Sequence, residues 1–149
     1  MKIAIATDHR GRELKYEIID KLKGEFDIID CSLENTDTDD YPDFAFIVGE
    51  RVATGCVDFG VLICGTGIGM SIAANKVKGV RCALVSNIET AMLARVHNDA
   101  NVLAFASSLG TDTIISCIKE FAKYEHEGDN HKRRVAKIIK YENGAYNEL

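Results

Sequence analysis

Short apolar segments recur along the chain and alternate with longer segments in which apolar residues have helical spacing. Runs of this kind predict strands separated by helices. The core of the third run, Val61-Leu62-Ile63, is continuously apolar, which is typical of a strand covered on both faces in a parallel sheet. The predicted strands are Lys2–Thr7, Phe26–Asp30, Val57–Cys64, Val80–Val85 and Asn101–Ala106.

The intervening segments carry the spacing and the end signals of amphipathic helices. Leu14, Ile18 and Leu22 share one face of the first, and Gly24 marks its end. Pro42 stands near the start of the second, where proline is tolerated. The predicted helices are Arg10–Lys23, Tyr41–Thr54, Ser71–Lys76, Glu89–Val96, Thr111–Tyr124 and His131–Tyr141.

This alternation predicts βαβ units with right-handed crossovers. The expected fold is α/β: a doubly wound, five-stranded parallel sheet in a three-layer αβα arrangement, with residues 1–149 as one domain. In such sheets ligands bind beyond the carboxyl ends of the strands. Three polar clusters follow predicted strands and are therefore candidate site residues: Asp8-His9, Cys64 to Gly69, and Ser86-Asn87.

Composition narrows the function classes. The 149 residues are 46% apolar and 28% charged, and the net charge of −5 argues against a nucleic-acid partner. No apolar stretch approaches the roughly 18 residues that span a bilayer, and the apolar start runs directly into Asp8-His9-Arg10 rather than reading as a signal peptide. We therefore expect a cytoplasmic protein. Five cysteines without a CxxC pair argue against a disulfide framework and a zinc site.

The segment that follows the third strand, CGTGIGMS at 64–71, carries the strongest local signal. Its three alternating glycines let the backbone approach a ligand and expose N–H groups. The helix that follows favours an anion, or an oxygen that becomes anionic in a transition state. The same field stabilises a thiolate, so Cys64 is a candidate nucleophile or base. The alternative is a glycine turn packed for structural reasons, with Cys64 as a core residue; the segment alone leaves both open.

Three familiar motifs fail on residue identity in this loop. A dinucleotide fingerprint requires GxGxxG after the first strand, whereas this loop follows the third and has Met70 at the last position. A P-loop requires a glycine and a lysine where Met70 and Ser71 stand. A cysteine phosphatase requires an arginine soon after the cysteine, and the next one is Arg81.

Three further clusters each have a structural and a functional interpretation. The segment HNDAN at 97–101 either caps and turns the chain or binds a ligand, with His97 as a natural acid or base. Asp8 either accepts hydrogen bonds from sugar hydroxyls or caps the following helix. The segment HKRR at 131–134 either binds one small phosphate or is a solvated helix face.

Together these residues resemble a known family. The run CGTGIGMSIAANKV at 64–77 is similar to the signature of ribose-5-phosphate isomerase B (the RpiB/LacAB family), supported by Asp8-His9, DYPD at 40–43 and HNDANVL at 97–103. The resemblance implies a Rossmann-like fold and a homodimer, or a dimer of dimers, with shared active sites. It implies interconversion of ribose 5-phosphate and ribulose 5-phosphate through an enediolate, without metal or organic cofactor.

The resemblance also implies catalytic roles. Cys64 is the expected base that moves a proton between C2 and C1, and His97 is expected to open the sugar ring, with Tyr41 as a candidate helper. Thr66 and the backbone N–H groups of the loop are expected to stabilise the enediolate oxygens. The loop residues expected to contact substrate are Gly65, Gly67, Ile68 and Gly69.

The remaining implied contacts bind the sugar and its phosphate. Asp8 and Asn98 are expected to bind sugar hydroxyls, with His97 and Asn98 facing the glycine loop of the partner subunit. His9 and Arg134 are expected to bind the phosphate, with Arg133 beside them.

The departures from the family pattern lie at the phosphate. Asn130 and Ser108 stand where the family usually has arginines, whose planar fork grips phosphate. Phosphate binding is therefore expected to be weaker, or taken over in part by Arg133, Lys132, His131 and His9. Arg10 replaces a usual alanine, either as a compensating cation or as a solvent-exposed side chain.

Two alternatives follow from these departures. The first is an isomerase of a six-carbon sugar phosphate, such as allose or galactose 6-phosphate, or of free rare sugars such as allose or psicose. Galactose-6-phosphate isomerase subunits generally lack a cysteine at the position of Cys64, which favours ribose 5-phosphate here. The second is a non-catalytic sugar-phosphate-binding module, against which Cys64, Thr66 and His97 argue together.

Overall fold

The computed structural model describes residues 1–145, and within them five parallel strands form one sheet. The strands are β1 (Lys2–Thr7), β2 (Asp27–Asp30), β3 (Phe59–Cys64), β4 (Cys82–Leu84) and β5 (Val102–Ala106). Their order across the sheet is β2-β1-β3-β5-β4, so β5 is inserted between β3 and β4. The predicted five-stranded parallel sheet is confirmed.

Within residues 1–145 there are six helices and two short 3₁₀ turns; the first four helices connect successive strands, and the last two follow β5. The helices are α1 (Arg12–Leu22), α2 (Tyr41–Ala53), α3 (Ile68–Ala74), α4 (Ile88–Asn98), α5 (Thr111–Ala122) and α6 (Asp129–Glu142). The 3₁₀ turns are His9–Gly11 and Ser107–Leu109. Helices cover both faces of the sheet, which confirms the doubly wound, three-layer arrangement.

The two faces of the sheet are packed differently. On one face, large side chains of β1 and β3 meet α1, α4 and α5, and Ile3, Ile63 and Phe121 are among the buried residues. On the other, alanines of β1 and β5 meet α2 and α3. Gly60 lets α2 come closest, because a Cβ there would lie 2.5 Å from Cγ1 of Val48. β3 is buried along its whole length, as its apolar run predicts.

Element boundaries differ from the prediction where side chains redirect the backbone. The first helix begins as a 3₁₀ turn because the Asp8 side chain accepts the N–H of Arg10. The third helix begins at Ile68 rather than Ser71, which shortens the glycine loop. The fourth extends to Asn98, so His97 lies in its last turn rather than in a loop.

The connections place a crevice at the middle of the sheet. The chain leaves β1 through α1 toward β2 on one side, and leaves β3 through α3 toward β4 on the other. Ligands bind at such a switch point, outside the carboxyl ends of the strands. The residues that follow β1 and β3, Asp8 and Gly65, therefore border the expected binding crevice.

Candidate active site

Cys64 lies at the end of β3, underneath the glycine loop. It is 5% exposed, and its Sγ accepts a hydrogen bond from the N–H of Gly67 at 3.1 Å. Gly67 has φ 75°, and a Cβ there would lie 2.8 Å from the backbone carbon of Phe105. Only glycine fits at position 67. The glycine therefore determines the turn that directs its N–H at the sulfur of Cys64.

The outer side of the loop forms a polar surface beside α2. Thr66 is exposed, and its Oγ1 accepts the N–H of Ile68 at 3.3 Å. The ring of Tyr41 lies against Gly69, where an added Cβ would be 2.7 Å from two ring carbons. The structure thus brings Tyr41, Thr66 and Cys64 to one place, although Tyr41 is more than 20 residues away in sequence.

Asp8 lies at the end of β1, next to β3, and has two roles in the local structure. Its N–H donates to the carbonyl of Ile63 at 3.3 Å, and its Oδ1 accepts the N–H of Arg10 at 3.0 Å. The expected cap is therefore present. Burial raises the pKa of Asp8, and the hydrogen bond from Arg10 opposes the rise in part. Its side chain is a nearly buried carboxylate at the crevice.

His9 is held by a residue that sequence reasoning missed. Asp39 Oδ1 accepts the backbone N–H of His9 at 3.0 Å and lies 2.9 Å from its Nδ1. Asp39 Oδ2 in turn accepts hydrogen bonds from Asn35 and Thr36. Burial raises the pKa of Asp39, but these hydrogen bonds outweigh burial and lower it overall. An ionised Asp39 fixes Nδ1 of His9 as a donor and leaves Nε2 for a ligand.

A cavity of about 570 Å³ lies beside His9. It brings Arg10, Ser107 and Ser108 together at the ends of β1 and β5. Its full lining is His9, Arg10, Arg12, Glu13, Leu14, Glu17, Asp37, Ser107 and Ser108. Ser108, which the resemblance predicts to replace an arginine of the family, therefore faces the same space as Arg10.

The predicted cluster at residues 97–101 lies at the opposite edge of the sheet. His97 and Asn98 end α4, just before β5 begins at Val102, whereas Cys64 is paired with Ala106 at the other end of β5. Five residues of parallel strand separate the two edges, about 13 Å or more. Within one chain, His97 and Cys64 therefore belong to different surfaces.

Helix α6 adds its basic residues to the His97 side. The rings of His97 and His131 are stacked with centroids 4.0 Å apart and planes 6° apart. Burial lowers the pKa of His131, and the neighbouring charges of His97 and Arg134 lower it further. This stacking places the segment that holds Asn130, Arg133 and Arg134 beside His97 and Asn98. We use the name second cluster for six residues: His97, Asn98, Asn130, His131, Arg133 and Arg134.

Other polar residues at predicted sites have structural roles. Asn87 caps α4 by accepting the N–H of Thr90 at 2.9 Å. Asp99 has φ 47° and pairs with Arg81 and Arg95 at 2.7 and 3.0 Å. Ser86-Asn87 and Asp99 are therefore explained by the local fold.

Among residues 1–145, no three His, Cys, Asp or Glu side chains cluster closely enough to hold a metal ion. No helix in that part of the chain is long and apolar enough to cross a bilayer. All five cysteines are free thiols.

The switch-point crevice, with a cysteine under a glycine loop and a buried aspartate, defines the class: an α/β protein built to bind and transform a small polar molecule. The profile of the family described as Ribose/Galactose Isomerase matches residues 3–138. The chain belongs to the ribose/galactose isomerase family, and the resemblance that the glycine loop indicated is confirmed.

Relatives match the chain over nearly its whole length. A probable ribose-5-phosphate isomerase B of Mycoplasma genitalium is 49% identical over 144 residues, 94% of this chain and 95% of the relative. Ribose-5-phosphate isomerase B of Escherichia coli K12 is 42% identical over 143 residues, 95% of this chain and 96% of the relative.

Solved structures agree with the fold. Ribose-5-phosphate isomerase B of Clostridium thermocellum superimposes with a TM-score of 0.91 at 44% identity, covering 97% of this chain and 99% of the other. The Mycoplasma genitalium enzyme with bound ribulose-5-phosphate has a TM-score of 0.89 at 46% identity, covering 95% and 96%.

Proposed function

We propose that this protein is an aldose–ketose isomerase that interconverts ribose 5-phosphate and ribulose 5-phosphate. The observation that carries the proposal is Cys64, held under a glycine loop beside Asp8. The sequence of the chain is 46% identical to that of a ribose-5-phosphate isomerase B whose structure contains bound ribulose-5-phosphate.

In the proposed reaction Cys64, as a thiolate, takes the proton from C2 of the open-chain aldose. An enediolate forms, and the same proton is returned to C1 while a proton moves from O2 to O1, so that aldose and ketose have the same atoms. A base held beside the carbon acid is the main requirement of such a transfer. The tight turn at Gly67 fixes the sulfur by its N–H.

Charge on the enediolate oxygens requires donors at the loop. The N–H of Gly67 is directed at Cys64 Sγ, so it serves the base rather than these oxygens. Other donors at the loop include the Thr66 hydroxyl and the N–H of Gly69, which lies in the first turn of α3 and has no partner within that helix. Ile68 lies beside them and is exposed.

We further propose that two copies of the chain complete each active site. His97 and Asn98 lie at the sheet edge opposite Cys64, so ring opening by His97 at Cys64 requires a second subunit. The second cluster of one subunit would then face the crevice of its partner, and Arg134 would reach the phosphate with His9. A two-fold axis repeats this contact and gives two equal sites.

The surface beside the glycine loop fits such an arrangement. Ile68 and Ile72 on α3 are 51% and 57% exposed, and Leu84 at the end of β4 and Ile88 at the start of α4 are 47% and 46% exposed. Burial of apolar area at about 25 cal/mol per Å² makes a cluster of this kind a favourable contact for a second copy. The separation of His97 from Cys64 within one chain is what supports a second copy as the occupant.

A cytoplasmic location is part of the proposal. Its support is that all five cysteines are free thiols, which is the usual state in a reducing compartment.

Initial rates of ketose formation in EDTA test the function. Ribose 5-phosphate, allose 6-phosphate and free allose are compared, for wild type and for Cys64→Ala. We expect ribose 5-phosphate to be converted best, and the variant to lose about 10²- to 10⁴-fold in kcat, the usual contribution of a general base. Cys56→Ala is the matched control, since Cys56 is exposed and lies away from the loop.

The other outcomes are equally informative. Preference for a six-carbon sugar phosphate or a free sugar would support an isomerase of those sugars. Ser108 and Asn130 would then explain the altered specificity. Absence of turnover with every sugar, together with binding of ribose 5-phosphate, would replace the isomerase with the binding module.

A further inference from the structure

The cavity beside His9 contains a cation that the proposed reaction does not use. The side chain of Arg10 lies over Gly65, since a Cβ added there would be 3.0 Å from Cδ and 3.5 Å from Nη1 of Arg10. Arg10 also lines the cavity with His9 and Ser108. The side chain of Arg10 is exposed, and its guanidinium lies between the glycine loop and the cavity.

This guanidinium is free to bind a ligand. Within residues 1–145 it has no hydrogen-bond or ion-pair partner, whereas Arg12 Nη2 donates to the carbonyl of Asn35 at 2.6 Å and lies 3.9 Å from Asp37. An exposed arginine usually gains little from a distant charge. A free planar fork at the wall of a cavity, however, matches the oxygens of a phosphate.

The charge balance of the cavity makes direct contact necessary. Glu13, Glu17 and Asp37 line it together with the two arginines, so it has no large positive field. Glu17 accepts a hydrogen bond from Thr111, and the side chain of Asp37 is 99% exposed. An anion is therefore held only where it touches a donor, and Arg10 is the cavity-lining cation that lies against the glycine loop, at Gly65.

We propose that Arg10 binds the phosphate group of the substrate and sets the preference for phosphorylated over free sugars. It does so from the chain's own side of the site, in the cavity that Ser108 also lines. The inference rests on the proposed function, because that function supplies the phosphorylated substrate. No bond is made or broken at Arg10; its contribution is contact with the non-reacting phosphate.

Steady-state kinetics with ribose 5-phosphate and free ribose test the assignment in wild type, Arg10→Ala and Arg10→Lys. Loss of a charge-assisted contact predicts a KM for ribose 5-phosphate about ten- to hundred-fold higher in Arg10→Ala, with kcat changed little. Arg10→Lys should recover part of this loss, since lysine keeps the charge but not the fork. The kcat/KM for ribose should stay within about two-fold.

Arg51→Ala is the matched control, an exposed arginine on α2 outside the cavity. An unchanged KM for ribose 5-phosphate in Arg10→Ala overturns the proposal. Equal losses for ribose and ribose 5-phosphate also overturn it, because they would place Arg10 at the reacting carbons.

Calorimetric titration with inorganic phosphate separates this proposal from the proposed function. If wild type does not isomerise ribose 5-phosphate but binds phosphate, and Arg10→Ala binds it at least about ten-fold more weakly, the anion site stands without the isomerase. If wild type binds no phosphate, or Arg10→Ala binds it equally well, Arg10 is not an anion-binding residue.

Discussion

Asp8 combines a proposed role in binding substrate with an unfavourable effect of its ionisation on stability. It is 6% exposed, and burial raises its pKa. A carboxyl whose pKa is raised in the folded state adds stability only below its unfolded pKa, and this stability is lost as the pH rises through the folded pKa. Above its folded pKa, the ionised carboxylate of Asp8 therefore costs folding free energy relative to the unfolded chain.

Asp8→Asn separates these effects. The amide oxygen still accepts the N–H of Arg10, but the group no longer ionises. We expect stability at pH 7 equal to or above that of wild type, while kcat/KM for ribose 5-phosphate falls about ten- to hundred-fold through the lost hydrogen bond to a charged acceptor. Urea unfolding and initial rates on the same preparations check both; a variant less stable at pH 7 than wild type would refute the account.

The contacts of an individual residue could be predicted from the sequence where its partner lies only a few positions away. The cap at Asp8 and the tight turn at Gly67 involve partners two or three residues away. Asp39 was missed because its partner His9 is 30 residues distant, and an acidic residue in the segment TDTDD resembles an ordinary polar loop. The direction of the Arg10 side chain depends likewise on the packing of β1 against β3.

At the scale of elements, the loop between β2 and α2 binds the end of β1 through three side chains, Ser32, Asn35 and Asp39. We call these three residues the clamp. Ser32 accepts the N–H of Thr7 at 3.0 Å, Asn35 donates to its carbonyl at 2.7 Å, and Asp39 accepts the N–H of His9. The clamp is anchored by Lys15, which is fully buried and pairs with Asp30 at 2.9 Å. The segment that carries Asp8 and His9 is therefore shaped by a loop with no predicted function.

Asp39→Asn tests the clamp. The pKa of Asp39 is lowered in the folded protein, so its carboxylate stabilises the fold above its ordinary pKa, and this stability is lost as the pH falls through the folded pKa. We expect the variant to be about 1 kcal/mol less stable at pH 7, with the difference shrinking below about pH 4.

The same variant should raise the KM for ribose 5-phosphate several-fold, because His9 is no longer held, and change kcat less. Asp43→Asn is the control, an acidic residue in the first turn of α2 outside this network. Equal stability losses at pH 7 and pH 3 would show that the charge on Asp39 is irrelevant.

Element type was predictable throughout, and element ends were not. Apolar periodicity identifies all five strands and six helices, because burial on a sheet or helix face enforces it. The ends depend on single contacts: the strand expected at Val80–Val85 forms only at Cys82–Leu84, since β4 is an edge strand paired with β5 alone. The order of the strands could not be predicted either. Apolar periodicity indicates parallel strands but not which of them are neighbours.

At the scale of the whole molecule, the proposed shared site predicts complementation between inactive variants. Cys64→Ala removes the base from one half of each site, and His97→Ala removes the ring-opening group from the other half. After unfolding, mixing and refolding in equal amounts, half of the dimers should be mixed, each with one intact and one doubly defective site. Activity should recover to about a quarter of that of wild type.

Each variant refolded alone is the control and should stay inactive. Failure of the mixture to gain activity, with mixed dimers detected by native mass spectrometry, would place His97 and Cys64 in separate functions. A monomer that is fully active at all concentrations would contradict the shared site directly.

The insertion of β5 between β3 and β4 also has a consequence for synthesis on the ribosome. β1, β2 and β3 are neighbours, so this half of the sheet can assemble as soon as the first 64 residues have emerged. β4 emerges next but pairs only with β5, and must wait unpaired for about 20 more residues. During that interval an apolar strand has no partner, and a stalled nascent chain of which about the first 100 residues have emerged should be the form that chaperones bind most strongly.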